Sequence, residues 1–167
     1  MRILSIDPSL RCTGFAVVEK SAGQLRAITY GVIKNAPKVL PSGCLLAIHE
    51  RVAALISEYQ PGCAVFEAVI YVQSFRTAIT LGSARGAALV AAATRGLPIY
   101  EYAPRRVKQS VVGRGGAQKD QVGFMVRALL GLTETPPPDA ADALAIALTH
   151  FQTAESAQRG LVQLGQI

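Results

Sequence analysis

RILSIDPSLRCTGFAVVEKSAGQLRAITYGVIK, residues 2–34, is the stretch whose reading decides the fold. Residues 2–6 are an apolar run of strand length that ends directly at Asp7. The turn Pro8-Ser9-Leu10-Arg11 follows, and Thr13–Glu19 (TGFAVVE) predicts a second strand. Gly23 marks a hairpin turn, and Leu25–Lys34 predicts a third strand. Two hairpins in succession make an antiparallel meander.

Beyond Lys34 the period changes. Leu45, Ile48, Val52, Leu55 and Ile56 recur at helical spacing and predict a helix over Leu40–Tyr59, stopped by Pro61-Gly62. Cys63–Phe66 is again a short apolar run, with Glu67 at its end. An Ala-rich helix is expected over Ser74–Thr94 and a fifth strand over Ile99–Tyr102. Pro104 suits the first turn of another helix. After a glycine-rich loop at Gly113–Gly116, helices are expected over Lys119–Leu130 and from Asp139 to Gln158, the last led in by Pro136-Pro137-Pro138. The order βββαβαβ followed by helices is neither strict βα alternation nor all-β. It predicts an α/β fold with a mixed five-stranded sheet and helices on both faces. At 167 residues, with no linker or internal repeat, one domain over 1–167 is expected.

Composition narrows the function. No run reaches the ~20 apolar residues needed to span a bilayer, and the N-terminus does not have the form of a signal peptide. The expectation is a cytoplasmic protein without a membrane partner. Cys12, Cys44 and Cys63 are odd in number and widely spaced, against a disulfide framework or a zinc site, and read as small apolar residues. His49-Glu50 lacks the second histidine of a zincin motif, and there is no Walker A loop. His150 is expected to complement the negative end of the last helix. The formal net charge of +6 favours an anionic partner. Between Glu101 and Asp120 there is no acid, but Arg105, Arg106, Lys108, Arg114 and Lys119 are present around the glycines of the 113–116 loop.

Only four aspartates occur, Asp7, Asp120, Asp139 and Asp142. Asp7 and Glu67 each end an apolar strand, and Asp139 and Asp142 share one face of a helix whose remainder is apolar or alanine. Each alone has an ordinary explanation as a turn residue, a solvated strand end or a helix-terminal anion. If strands one and four are parallel neighbours, all four meet at one end of the sheet. Crowded carboxylates cannot all ionise without a counter-charge, and hard oxygen donors favour Mg²⁺ or Mn²⁺. Two such ions form the usual arrangement for in-line phosphodiester cleavage.

The segments IDPSLRCTGFAVVE (6–19), VFEAVIYVQSFRTAITLGSARGAALVAA (65–92), YAPRRVKQSVVGRGGAQKDQV (102–122) and DAADALAIALTH (139–150) resemble the RuvC family of Holliday-junction resolvases over nearly the whole chain. The resemblance implies an RNase H-like nuclease. Such an enzyme makes paired symmetric nicks in four-way DNA junctions through metal-activated water, in homologous recombination and repair. It also implies a homodimer, two Mg²⁺ ions per subunit for which Mn²⁺ substitutes, and the RuvA–RuvB branch-migration complex as a partner. The family's acidic positions fall on Asp7, Glu67, Asp139 and Asp142, and its important basic positions on Lys108 and Lys119. Two departures stand out: Ser9 replaces the usual Gly after Asp7-Pro8, and Ile70 replaces a Phe three residues after the catalytic Glu, so Tyr71 is expected to serve as the wedge that opens the junction. The small-residue face of the long helix, with Gly82 and Gly86 flanked by Ala78, Leu81 and Leu89, is the candidate dimer contact. A non-catalytic junction binder is disfavoured by the intact acids, and an actin-like ATPase by a length sufficient for only one such domain.

Overall fold

The computed structural model describes residues 1–70 and 74–167. Its elements are β1 (Arg2–Asp7), β2 (Cys12–Ser21), β3 (Gln24–Lys34), α1 (Pro41–Tyr59), β4 (Cys63–Glu67), α2 (Phe75–Ala93), β5 (Ile99–Tyr102), α3 (Pro104–Val112), α4 (Lys119–Leu130) and α5 (Pro138–Gln158). The five strands form one mixed sheet in the order β3-β2-β1-β4-β5. β1 pairs with β2, and β2 with β3, antiparallel, as the two hairpins require. β1–β4 and β4–β5 are parallel; α2 links β4 to β5, while the β2–β3 hairpin and α1 lie between β1 and β4.

Local chemistry sets the boundaries. α1, α3 and α5 each carry proline in the first turn, where its missing N–H is no loss. α1 stops at Gln60 in the left-handed conformation, just before Pro61. α4 opens on a reciprocal cap between Gln118 and Gln121 and closes on Gly131 at φ 61°.

Strand alternation divides the core in two. Leu4, Ile6, Phe15, Val17, Ala64 and Phe66 face α1 and α2. Ile3, Ala16, Val18, Cys63 and Val65 face the layer of α3, α4 and α5. α5 is buried almost all round, because the sheet lies beneath it and α3 and α4 flank it. Its alanines allow that close approach. Among the described residues no helix is long and apolar enough to cross a membrane.

His150 corrects one expectation. α5 runs two turns past it, so His150 lies away from the helix end and turns into the core. The Tyr102 hydroxyl lies 2.9 Å from its Nδ1, and the Cys63 Sγ 3.6 Å from its Nε2. Burial lowers its pKa to about 4, so it is neutral at physiological pH and is not a cation serving the helix dipole.

Candidate active site

The parity of the strands places the first two acids. Asp7 follows Ile3 and Ser5 on the α5 side of β1, and Glu67 follows Cys63 and Val65 on the same side of β4. The parallel register pairs Ile6 with Phe66, so Asp7 and Glu67 are neighbours at the carboxyl ends of adjacent strands. α5 crosses this face with Asp139 in its first turn and Asp142 three residues on.

The electrostatics record the crowding. Asp7 is raised from 3.8 to about 8, first by burial and then by the charges of Glu67, Asp142 and Asp139. Glu67 is raised to about 7, again first by burial and then by Asp142. Two carboxyls inclined to stay protonated near neutrality need a cation if they are to serve as anions. Lys119 supplies part of it: its Nζ donates to Asp142 Oδ2 at 3.0 Å, and that hydrogen bond raises its pKa. The Lys119 side chain is 67 % exposed, so a solvent-screened partner of this kind leaves much of the charge uncompensated. Among the described residues no three His, Cys, Asp or Glu side chains close up as a finished metal cage. Yet all-oxygen donors with raised pKa values fit a hard divalent cation, which would draw the repelling groups inward.

A cleft of about 320 Å³ opens beside Asp7 and Glu67, lined also by Ile70, Leu81, Pro104 and Arg105. Ile70 is 68 % exposed. The expectation for Tyr71 falls outside the described residues. Ser9, the departure in the first turn, is held from both sides by Thr13: its N–H donates to Thr13 Oγ1, and the Thr13 hydroxyl donates to the Ser9 carbonyl.

The basic segment is only partly gathered here. The positive charges of Lys108 and Lys119 reach Glu67, and Arg105 lines the cleft. Arg114 is exposed in the glycine loop. Arg106 is exposed, as Arg105 is, and also has contacts within the chain. It donates to Thr153 Oγ1 at 3.2 Å and stacks over the Tyr102 ring, because its place on α3 turns it toward α5.

On α2, Gly82 and Gly86 have open space where a Cβ would stand. Leu89 instead packs partly on the chain's own core. The exposed stripe beside the glycines is made of Phe75, Ile79 and Val90, which the sequence reading passed over. Their i, i+4, i+15 spacing was the available signal. Gly14, read only as a strand residue, pairs with Asp7 and lies against the start of α5. A glycine inside a strand is itself a mark of close backbone approach.

A 3-2-1-4-5 sheet with carboxylates at the ends of its first and fourth strands, faced by two more on the last helix, defines a nuclease of the RNase H-like class. The chain belongs to the family of crossover junction endodeoxyribonuclease RuvC, whose model matches residues 3–150. Its activity class is therefore endonucleolytic cleavage of DNA at crossover junctions. It is 56 % identical over 155 residues to crossover junction endodeoxyribonuclease RuvC of Akkermansia muciniphila, covering 93 % of each chain. With that of Edwardsiella ictaluri it shares 46 % over 157 residues, covering 94 % of this chain and 90 % of the relative. The structure of Thermus thermophilus RuvC in complex with Holliday junction substrate superposes with a TM-score of 0.88 at 37 % identity, covering 100 % of this chain and 99 % of the other.

Proposed function

We propose that this chain, as a single nuclease domain, resolves four-way DNA junctions by paired symmetric nicks, serving recombination and repair in the cytoplasm. The observation that carries the mechanism is the raised pKa of two neighbouring carboxyls, Asp7 and Glu67, on the face that α5 brings Asp139 and Asp142 to meet. These four residues hold two Mg²⁺ ions, with Mn²⁺ as a substitute. When bound, such ions supply the Lewis acidity that activates a water and offsets charge on the leaving 3′ oxygen. Asp7, central in the cluster, orients the donor set, while Glu67 and the α5 pair complete it. Lys119 acts as a retained positive charge beside the phosphate: a pKa raised by Asp142 keeps its proton in place and disfavours it as a base. Arg105, Arg106, Lys108 and Arg114 hold the phosphate backbone, and Tyr71, supported by Ile70, parts the strands at the crossover. The expected partners are the junction, a second copy of the chain and the RuvA–RuvB branch-migration complex.

The direct test is cleavage of a synthetic four-way junction. Ligatable paired nicks are expected with Mg²⁺, and none in EDTA. Cleavage that persists at the same rate in EDTA would remove the metal from the mechanism. A second expectation concerns binding. Each phosphate contact contributes about 0.9 to the slope of log K against log salt on duplex arms. The Lys108→Ala, Arg114→Ala double variant should therefore flatten that slope by about two. An unchanged slope would make this segment a solvated surface only.

A further inference from the structure

The start of α5 lies on β2 at a residue without a side chain. Gly14 is the register partner of Asp7, and by strand parity it turns to the same face as Ala16 and Val18, the face that α5 covers. A Cβ built on Gly14 would overlap the carbonyl carbon and oxygen of Asp139 and approach the Ala140 nitrogen at 3.4 Å. These are main-chain atoms. They cannot rotate aside as a side chain does, so any side chain at position 14 forces the first turn of α5 off the sheet. That turn carries Asp139, with Asp142 one turn further on, and Ala140 and Ala141 beside them are fully or almost fully buried.

From this we infer that Gly14 is a positioning residue for the acid cluster: its missing side chain sets how closely α5 brings Asp139 and Asp142 to Asp7. The backbone of Gly14 lies outside the left-handed region, so its conformation does not require glycine. Contact with Asp139 is what requires it. The other strand glycine of the meander, Gly31, differs in kind. A Cβ there would meet only the Phe15 ring, at 3.1 Å, and that side chain can yield.

The inference rests on the proposed metal-holding role of the four acids, and its test keeps the two apart. Mn²⁺ binding to the full-length protein is measured by calorimetry without DNA, and junction binding is measured separately in EDTA. Gly14→Ala should bind Mn²⁺ about tenfold more weakly or worse, as expected when a residue orienting metal ligands is altered. Cleavage should fall on the order of a hundredfold, partly recovered at high Mn²⁺, because a displacement near 1 Å is enough to disturb the reacting geometry. Junction binding in EDTA should stay unchanged. Gly31→Ala should leave Mn²⁺ affinity at the wild-type value even if it lowers the melting temperature. Wild-type Mn²⁺ affinity in folded Gly14→Ala would overturn the inference.

Asp7→Asn is the reference for the underlying reading. If it binds Mn²⁺ as the wild type does, the metal role fails, whatever Gly14→Ala does. If Asp7→Asn loses Mn²⁺ and Gly14→Ala keeps it, only the positioning role fails. Should Gly14→Ala not accumulate as folded protein, Pro138→Gly frees the same turn from its exposed side without adding an atom. It should weaken Mn²⁺ binding severalfold at nearly unchanged melting temperature. Unchanged affinity in that variant would overturn the inference equally.

Discussion

Asp7→Asn should cut junction cleavage by roughly a thousandfold, about 4 kcal/mol of transition-state stabilisation, and at the same time make the metal-free protein more stable in mild alkali. Both effects follow from one carboxyl. Asp7 is half-buried; desolvation first, and then the charges of Glu67, Asp142 and Asp139, hold its pKa at about 8 against 3.8 in the unfolded chain. Between those values the folded state keeps a proton that the unfolded state has lost. Stability therefore falls as pH rises from about 4 to about 8, and the whole cost is present above that. Glu67, raised from 4.5 to about 7, adds to the same slope. Asparagine fills the space without ionising. Above pH 8 in EDTA the variant should exceed the wild type by a few kcal/mol, where each kcal/mol moves the melting temperature by about 2–4 °C. Mg²⁺ should raise the wild-type melting temperature more at pH 8.5 than at pH 5.5, and should scarcely move the variant's. Junction binding in EDTA should be retained, since the carboxylate repels the phosphates. Thermal melts and gel-shift titrations at the two pH values read all of this. A variant that cleaves near the wild-type rate, or melts below the wild type at pH 8.5 in EDTA, would show that Asp7 is a structural residue.

The acids were legible in the sequence because a carboxylate at the end of a fully apolar strand is costly unless something offsets it. Asp7 and Glu67 met that description, and the parallel pairing of β1 with β4 brought them together as the sequence reading required. Apolar runs and period, with glycine and proline breaks, also marked the elements, with boundaries within a residue or two wherever both ends were predicted. Less legible was anything set by the facing of a buried helix. α5 is apolar or alanine around most of its circumference, so no pattern marks the side on which His150 lies, and its place near the chain's end suggested a terminal role. The structure turns it onto Tyr102 instead. α2 shows the same difficulty. Its alanines look alike in sequence, yet Ala84, Ala88, Ala91 and Ala92 are buried on the sheet while Phe75 is 92 % exposed. Arg106 reads as one more cation in a basic run. Only the packing of α3 on α5 shows that this exposed arginine also reaches Thr153. Gly14 carried a signal, a glycine inside a strand, but nothing local to say which backbone approaches it. The contact that excludes a side chain there comes from Asp139, far along the chain, and no local rule reports it.

A heterodimer of one wild-type and one Asp7→Asn subunit should nick a cruciform plasmid and stop, giving a nicked circle in place of the linear molecule that paired cuts release. The described residues hold one acid cluster per chain, built around Asp7 and Glu67, so one chain offers one cut. A four-way junction has two-fold symmetry, and a C₂ pair of chains matches it with two sites. The surface available for that pairing is the outer stripe of α2, where Phe75, Ile79 and Val90 expose apolar area and Gly82 and Gly86 leave open space for a second backbone. Exposed apolar side chains along one helix face become buried area if that face packs against its own copy. Differently tagged subunits, purified as verified heterodimers and assayed in a single turnover, separate the outcomes. Nicked circles should dominate, and the rate of the first cut should be about half that of the wild type, since one of two equivalent sites remains. Mostly linear product would mean that one site can turn round and make both cuts, and the symmetric dimer would no longer be needed.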